Sequence, residues 1–239
     1  MKLYGKRPVA ERLRAAPHTI RALYLQHGID NPEVVQAAKA ANRSFTSLGK
    51  NDFAKMAGDA HAQGVLAEVS DFQYAPLEEL LARPEPRPVL FFLDRLSDPQ
   101  NLGALMRTMA CFGNIALVLP KYNSVEITEA ALRVACGGEN YVPAARVTNL
   151  AQASEMAKKA GYWIVGAAVD GGTPLHTAQW PWPLAVVLGS EGTGIRPGLV
   201  KHVEMTVTLP MPGAPLSFNV ATAAALIAYE ITRYRLEKK

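Results

Sequence analysis

From residue 88 onward, short runs that are apolar on both faces alternate with longer segments of helical period. The runs predict strands over 88–94, 115–119, 162–168, 183–188 and 205–209. The segments between them predict helices over 100–112, 125–136, 149–160, 196–201 and 217–235. Strands buried on both faces and separated by helices specify an α/β fold, a mostly parallel sheet covered on both sides. The last helix, SFNVATAAALIAYEITRYR, is apolar nearly all round as far as Ile231. Burial on more than one side is expected of it, at an interface with a second copy of the chain.

Ahead of this region the pattern is that of a small α/β layer. VAERLRAA reads as a helix, RALYLQH as a strand, and NPEVVQAAKAAN as a helix with Asn31 as cap and Pro32 at its first position. SFTSLG reads as a strand, KNDFAKMAG as a helix and QGVLAEVS as a strand. Arg83-Pro-Glu-Pro-Arg-Pro88 then places three prolines in five residues, where neither a helix nor a central strand can pass. The expected division is a small domain over 1–82, a linker over 83–88 and a larger domain over 89–239.

Composition sharpens this picture in two ways. With 49% hydrophobic and 19% charged residues, the chain can bury a core. Charge is uneven: residues 1–50 hold nine Lys and Arg against three acids, a net +6, which leaves −2 for the rest of a chain whose total is +4. A basic module ahead of a near-neutral one fits either polyanion binding or an ordinary solvated surface. Cys111 and Cys136 are too few for a disulfide framework or a zinc cluster and are expected to be small buried hydrophobes. The opening MKLYGKRPVAERLR lacks an apolar leader core, and no stretch reaches the roughly 18 apolar residues of a membrane span. A soluble, cytoplasmic protein without a metal site is the expectation.

Three segments at strand ends carry the candidate chemistry: Asn101-Leu-Gly-x3-Arg107, Gly189-Ser-Glu-Gly-Thr-Gly194 and Pro210-Met-Pro-Gly-Ala-Pro-Leu-Ser217-Phe-Asn219. Singly, each has an ordinary explanation. Arg107 suits a surface ion pair, the glycine loop a connecting turn, and Ser217 an N-cap. Asn219, a poor helix residue, lacks such an explanation. The glycine loop fails the spacing of nucleotide-binding motifs, and Glu191 in its middle would repel a phosphate. Its backbone better suits a neutral or cationic group.

In this order and spacing the segments resemble the SpoU (TrmH-type) RNA ribose 2′-O-methyltransferases of the SPOUT superfamily. That family carries N-x-G-x-x-x-R, G-x-E-G-x-G and P-M-x-G-x-x-x-S-L-N-V-[SA]; this chain reads NLGALMR, GSEGTG and PMPGAPLSFNVA, with Phe218 for Leu and Ala221 for Ser. YGKRPVAERLRAA and HAQGVLAEV resemble the two ends of the family's RNA substrate-binding domain, although His61-Ala-Gln-Gly64 has one residue more than the usual H-Q-G. The resemblance implies a trefoil-knotted methyltransferase domain binding S-adenosylmethionine through loops 166–170, 189–194 and 209–219. Gly166, Ala167, Gly189, Glu191, Gly192, Gly194, Leu209, Met211, Phe218 and Asn219 would hold the cofactor. Arg107 would act on the ribose hydroxyl, with Asn101, Glu191, Ser217 and Asn219 orienting the reacting groups. Lys6, Arg7, Arg12 and Arg107 would meet RNA, and the last helix would form a homodimer. The expected substrate is a guanosine of 23S rRNA, with tRNA, a non-catalytic RNA-binding role and a small-nucleotide substrate as the other readings.

Overall fold

A computed structural model describes residues 1–58, 61–190, 192–214 and 216–237. In chain order, the first layer contains β1 (Lys2–Tyr4), α1 (Lys6–Ala15), β2 (Ile20–Gln26), α2 (Pro32–Ala40), β3 (Thr46–Leu48), α3 (Lys50–Ala57) and β4 (Val65–Val69). Its four strands run in the order β1-β4-β2-β3, antiparallel except for the β2–β3 pair. After α4 (Leu77–Leu81) come β5 (Val89–Leu93), α5 (Pro99–Phe112), β6 (Ile115–Pro120), α6 (Glu129–Ala135), β7 (Ala144–Val147) and α7 (Leu150–Lys159). The chain ends with β8 (Trp163–Ala168), β9 (Thr173–Pro174), β10 (Leu184–Leu188), α8 (Pro197–Val200), β11 (Met205–Thr208) and α9 (Val220–Glu237). These seven strands form one all-parallel sheet in the order β7-β6-β5-β10-β8-β11-β9.

The doubly apolar strands lie where the pattern predicts, because both faces are covered. Along β5, Leu90 and Phe92 face one apolar cluster while Val89, Phe91 and Leu93 face the other. All five are at most 1% exposed. α5 begins as expected, with Asp98 accepting a hydrogen bond from Gln100 N at 2.8 Å and Pro99 in the first turn. Gly103 allows α5 and α6 to touch: a methyl there would lie 2.4 Å from Ala131 O and 2.6 Å from Val134 Cβ. The glycine thus serves helix–helix packing.

Several expectations change. Asn31 precedes α2 with Pro32 in its first turn, yet its side chain is buried and does not cap; its amide donates to the carbonyls of Ile29 and Gly64. The last helix starts three residues later than expected. Asn219, not Ser217, caps it, its Oδ1 accepting from Ala221 N at 2.9 Å. That gives Asn219 the local role that the sequence withheld from it. Cys111 is exposed and Cys136 half-buried, so neither is a core residue. α4, on the N-terminal side of the proline-rich stretch, packs with Leu77 and Leu80 among Leu90, Phe92 and Val118 of the larger sheet. α4 thus packs on the larger sheet although it precedes the proline-rich stretch.

The two layers share one continuous apolar cluster, in which Leu3, Val9 and Leu13 join Leu102, Met106 and Leu132. Polar ties cross the seam as well. Lys2 N donates to Glu129 Oε1 at 2.6 Å, the Tyr141 hydroxyl to Glu11 Oε2 at 2.9 Å, and Arg12 pairs with Glu139 at 3.2 Å.

Candidate active site

Parallel strands all end on one edge of the sheet, and the loops leaving that edge build the site. β10 sits between β5 and β8, so the loop after β10 lies between its neighbours' loops. Asp94, at the end of β5 and 1% exposed, receives Arg196 Nε at 2.8 Å and Arg196 N at 3.1 Å. One residue on, Arg95 donates to Thr193 Oγ1 at 2.7 Å, which in turn shares a 2.8 Å hydrogen bond with Ser190 Oγ. Ser190 and Gly194 close the loop with reciprocal backbone hydrogen bonds of 3.1 and 3.0 Å.

Beside this loop lies a cavity of about 220 Å³. The end of β10 and its loop supply Leu188, Gly189, Ser190, Gly192 and Gly194. β8 and the chain after it supply Ala167, Ala168, Val169 and Leu175. The wall is completed by β11 and its continuation (Val207, Thr208, Leu209, Met211, Ser217, Phe218) and by one face of α9 (Val220, Ala223, Ile227). Among the described residues, no charged side chain lines it. An apolar slot edged by main-chain N–H and C=O groups suits a flat heteroaromatic ring with polar edges.

Of the residues expected at a cofactor site, Ala167, Gly189, Gly192, Gly194, Leu209, Met211 and Phe218 line the cavity together, as does Ser217. Gly166 does not line it: it is buried beneath Val203 and Ile195. Asn219 stands outside the lining and donates its amide to Asn101 Oδ1 at 3.0 Å, linking the third segment to the first. Glu191 lies outside the described residues. Arg107 is on the exposed face of α5, away from the cavity wall, with Nη1 donating to Cys136 Sγ at 3.8 Å.

The RNA-facing candidates divide. Arg7 is exposed, and Lys6 sends Nζ to Asp30 O at 3.0 Å while its backbone N–H reaches Gln63 Oε1 at 3.3 Å. Arg12 is 6% exposed and turned into the seam between the layers, paired with Glu139, so it is withdrawn from the RNA-facing set. Burial pushes the Glu139 carboxyl above the usual carboxylate range, and Arg12 offsets this only in part. Sequence reasoning also missed Asp94, Arg95, Thr193 and Arg196. The acidic end of VLFFLD was the one available signal, since the partners of Asp94 and Arg95 are some hundred residues away. Among the described residues no cluster of His, Cys, Asp and Glu would hold a metal ion. Nor is any helix among them long and apolar enough to cross a membrane.

Comparison with known proteins gives the family. Residues 88–229 match the SpoU rRNA Methylase family, and residues 2–75 match the RNA 2′-O ribose methyltransferase substrate-binding domain. The chain is 35% identical over 243 residues to the 23S rRNA (guanosine-2′-O-)-methyltransferase RlmB of Pseudomonas syringae pv. tomato, covering 100% of this chain and 97% of that protein. It is 36% identical to the RlmB of Pseudomonas aeruginosa, covering 98% and 96%. The SpoU methyltransferase AviRb from Streptomyces viridochromogenes, solved in complex with AdoMet, shares the fold with a TM-score of 0.82 at 20% identity, over 99% of this chain and 91% of that one. With its methylase and substrate-binding domains both matched, the chain belongs to the SpoU family and is an S-adenosylmethionine-dependent RNA 2′-O-ribose methyltransferase.

Proposed function

We propose that the protein methylates the ribose 2′-OH of a guanosine in 23S rRNA, using the cavity between β8, β10, β11 and α9 for the methyl donor. The observation that carries this reading is the joining of all three segments: Gly189, Gly192 and Gly194 wall one cavity with Leu209, Met211, Ser217 and Phe218, and Asn219 ties it to Asn101 on the helix that bears Arg107. Full-length similarity to two rRNA guanosine methyltransferases supports the target. The residues fit the cofactor. Gly189 packs so tightly on Gly194 that a methyl there would lie 2.1 Å from the Gly194 carbonyl carbon, which keeps the loop closed and turns backbone groups to the slot. In our reading the main chain at Gly189, Leu209 and Phe218 holds the adenine and ribose. We extend the proposal to a knotted path through residues 189–219, a cytoplasmic location and a homodimer. The free thiols of Cys111 and Cys136 support the location. Leu226, Tyr229 and Leu236, exposed along α9, support the dimer.

The cofactor, when bound, supplies a methyl carbon activated by a sulfonium. Transfer would form the ribose O–C bond as the carbon–sulfur bond breaks and would pass the hydroxyl proton to solvent water, so positioning supplies much of the rate. A guanidinium remains protonated in proteins. Arg107 therefore stabilises the developing alkoxide and clamps the neighbouring phosphate, and it does not abstract the proton. Asn101 and Asn219, bonded to each other, fix the start of α5 against the start of α9. Ser217, on the cavity wall, orients the ribose.

The test is Arg107→Ala. Turnover of unmodified 23S rRNA should fall by about 100-fold or more, while calorimetric affinity for S-adenosylmethionine stays within about twofold. Retained turnover would remove Arg107 from the reaction.

A further inference from the structure

Between the substrate-binding layer and α5 runs a short turn, residues 136–141, that touches both. Cys136 (φ 51°) and Gly137 (φ 95°) take left-handed conformations that reverse the chain after α6, and Gly138–Asn140 then form one 3-10 turn. On one side the turn presses on the backbone of the catalytic arginine. A methyl at Gly138 would lie 2.8 Å from Arg107 Cα, 2.9 Å from Met106 O and 3.0 Å from Arg107 N. On the other side it presses on α1, where a methyl at Gly137 would lie 2.5 Å from Glu11 Cβ. Three side-chain contacts hold this stack together. Arg12 Nη2 meets Glu139 Oε1 at 3.2 Å, Tyr141 donates to Glu11 at 2.9 Å, and Arg107 donates to Cys136 Sγ at 3.8 Å.

The Arg12–Glu139 pair is unusual in being enclosed: side-chain exposure is 8% for Arg12 and zero for Glu139. Arg12 spends Nη1 on Thr19 Oγ1 at 3.2 Å. Desolvating two charges costs about as much as their attraction returns, so such a pair adds little net stability. What it does fix is position. α1 also carries exposed Arg7 in its first turn, so the helix that bears this candidate RNA contact is the helix pinned to the turn.

We propose that Arg12 and Glu139 are positioning residues, a clamp through which the substrate-binding domain holds the turn 137–140 against the Arg107 backbone and so sets where the catalytic guanidinium stands. The clamp rests on the reading of Arg107 given above. It makes the first domain part of the active-site framework as well as an RNA-binding module. Because α1, the turn and α5 are in contact throughout, displacement of α1 is passed directly to the backbone that carries Arg107.

The experiment uses the full chain with unmodified 23S rRNA and saturating S-adenosylmethionine. It compares Glu139→Ala, Arg12→Ala, the double variant and Gly138→Ala. Each single variant should lower kcat by about tenfold to 100-fold, the scale of an ångström-sized misplacement, with cofactor affinity within about twofold of wild type. The double variant leaves no buried charge unpaired, so its melting temperature should recover towards wild type. Its kcat should nonetheless stay as low as that of the worse single variant, since both substitutions break one contact. Gly138→Ala displaces the same backbone without altering charge and should give the same kcat-selective loss. A stably folded double variant with wild-type kcat would overturn the clamp, as would single-variant losses that multiply. Arg107→Ala is measured alongside. If it retains turnover, the reading of Arg107 fails and the clamp with it; if it is inactive while the clamp variants are unimpaired, the clamp alone fails.

Discussion

Replacing Gly189 with alanine tests whether the cofactor slot depends on the glycine that ends β10. A methyl built there would lie 2.1 Å from Gly194 C, 2.3 Å from Ile195 N and 2.5 Å from Gly194 O. All three are main-chain atoms far inside van der Waals contact, so no side-chain rotation relieves the overlap. The loop must open, and opening it strains or breaks the Ser190–Gly194 backbone pair. Overpacking of this kind costs about 1–3 kcal/mol, and a lost hydrogen bond adds roughly 1 kcal/mol. Binding has to restore the closed loop, so a total of about 2–4 kcal/mol appears as a roughly 30- to 1,000-fold weaker Kd. Gly194→Ala meets no neighbour and carries only the strain of its φ of 64°, about 1–2 kcal/mol, so its loss should be smaller. Gly198→Ala, in open space on α8, should leave affinity unchanged. Titration calorimetry with S-adenosylmethionine, with thermal melts to establish folding, gives the order directly. A folded Gly189→Ala protein that binds like wild type, or one less affected than Gly194→Ala, would refute the reasoning.

Two further substitutions probe the framework. Gly103→Ala should destabilise the protein by about 1–3 kcal/mol, lowering Tm by about 2–4 °C per kcal/mol, because the methyl strikes Ala131 O and Val134 Cβ; an unchanged melt would count against the α5–α6 contact. At the Asp94–Arg196 pair the effects should be unequal. Arg196→Ala leaves a fully buried carboxylate with only the backbone N–H of residue 196 for a partner and should cost up to about 3–5 kcal/mol, whereas Asp94→Ala frees a guanidinium already 44% exposed and should cost less. Denaturant unfolding of both variants measures the difference, and equal losses would contradict the burial argument.

The larger sheet was legible because its strands are apolar on both faces, a pattern few other structures require. β1, β7, β9 and α4 were not read, being too short, at two to five residues, to establish a period. The three loop segments were legible through their spacing, and the cavity does gather most of them. Individual roles were harder. Ser217 and Asn219 both suit a helix cap, and only the path of the chain decides that Asn219 caps α9. Arg12 reads as one more basic residue in a basic segment; its partner, Glu139, lies 127 positions away, so local sequence cannot reveal its burial. Cys111 follows Met109 and Ala110 in an apolar helix yet points outward, because the buried stripe of α5 runs through Leu102, Leu105, Met106 and Met109.

Topology explains why the site needs so many loops. From β5 the chain builds one half of the sheet through β6 and β7, then returns across it to begin the other half at β8. In open parallel sheets, loops diverge where the strand order reverses, and ligands settle there. Here β10 enters beside β5 and binds its loop to the β5 loop through Asp94–Arg196 and Arg95–Thr193. Those contacts close the crevice next to β5, so the open cavity lies on the other side, between the ends of β10, β8 and β11. Arg107, two turns along the helix after β5, then stands apart from the cavity wall, and its position rests on α5 and on what packs against α5. Its supports include α6, through Gly103, α9, through Asn219 on Asn101, and the turn at Gly138, which the substrate-binding layer holds by Arg12 and Glu139. Deleting residues 1–82 would therefore remove a support of Arg107 and expose Leu102, Met106 and Leu132 of the shared core. Loss of methylation in such a truncation would not report RNA affinity alone. Substitution of exposed Arg7, which leaves the seam intact, isolates that contribution.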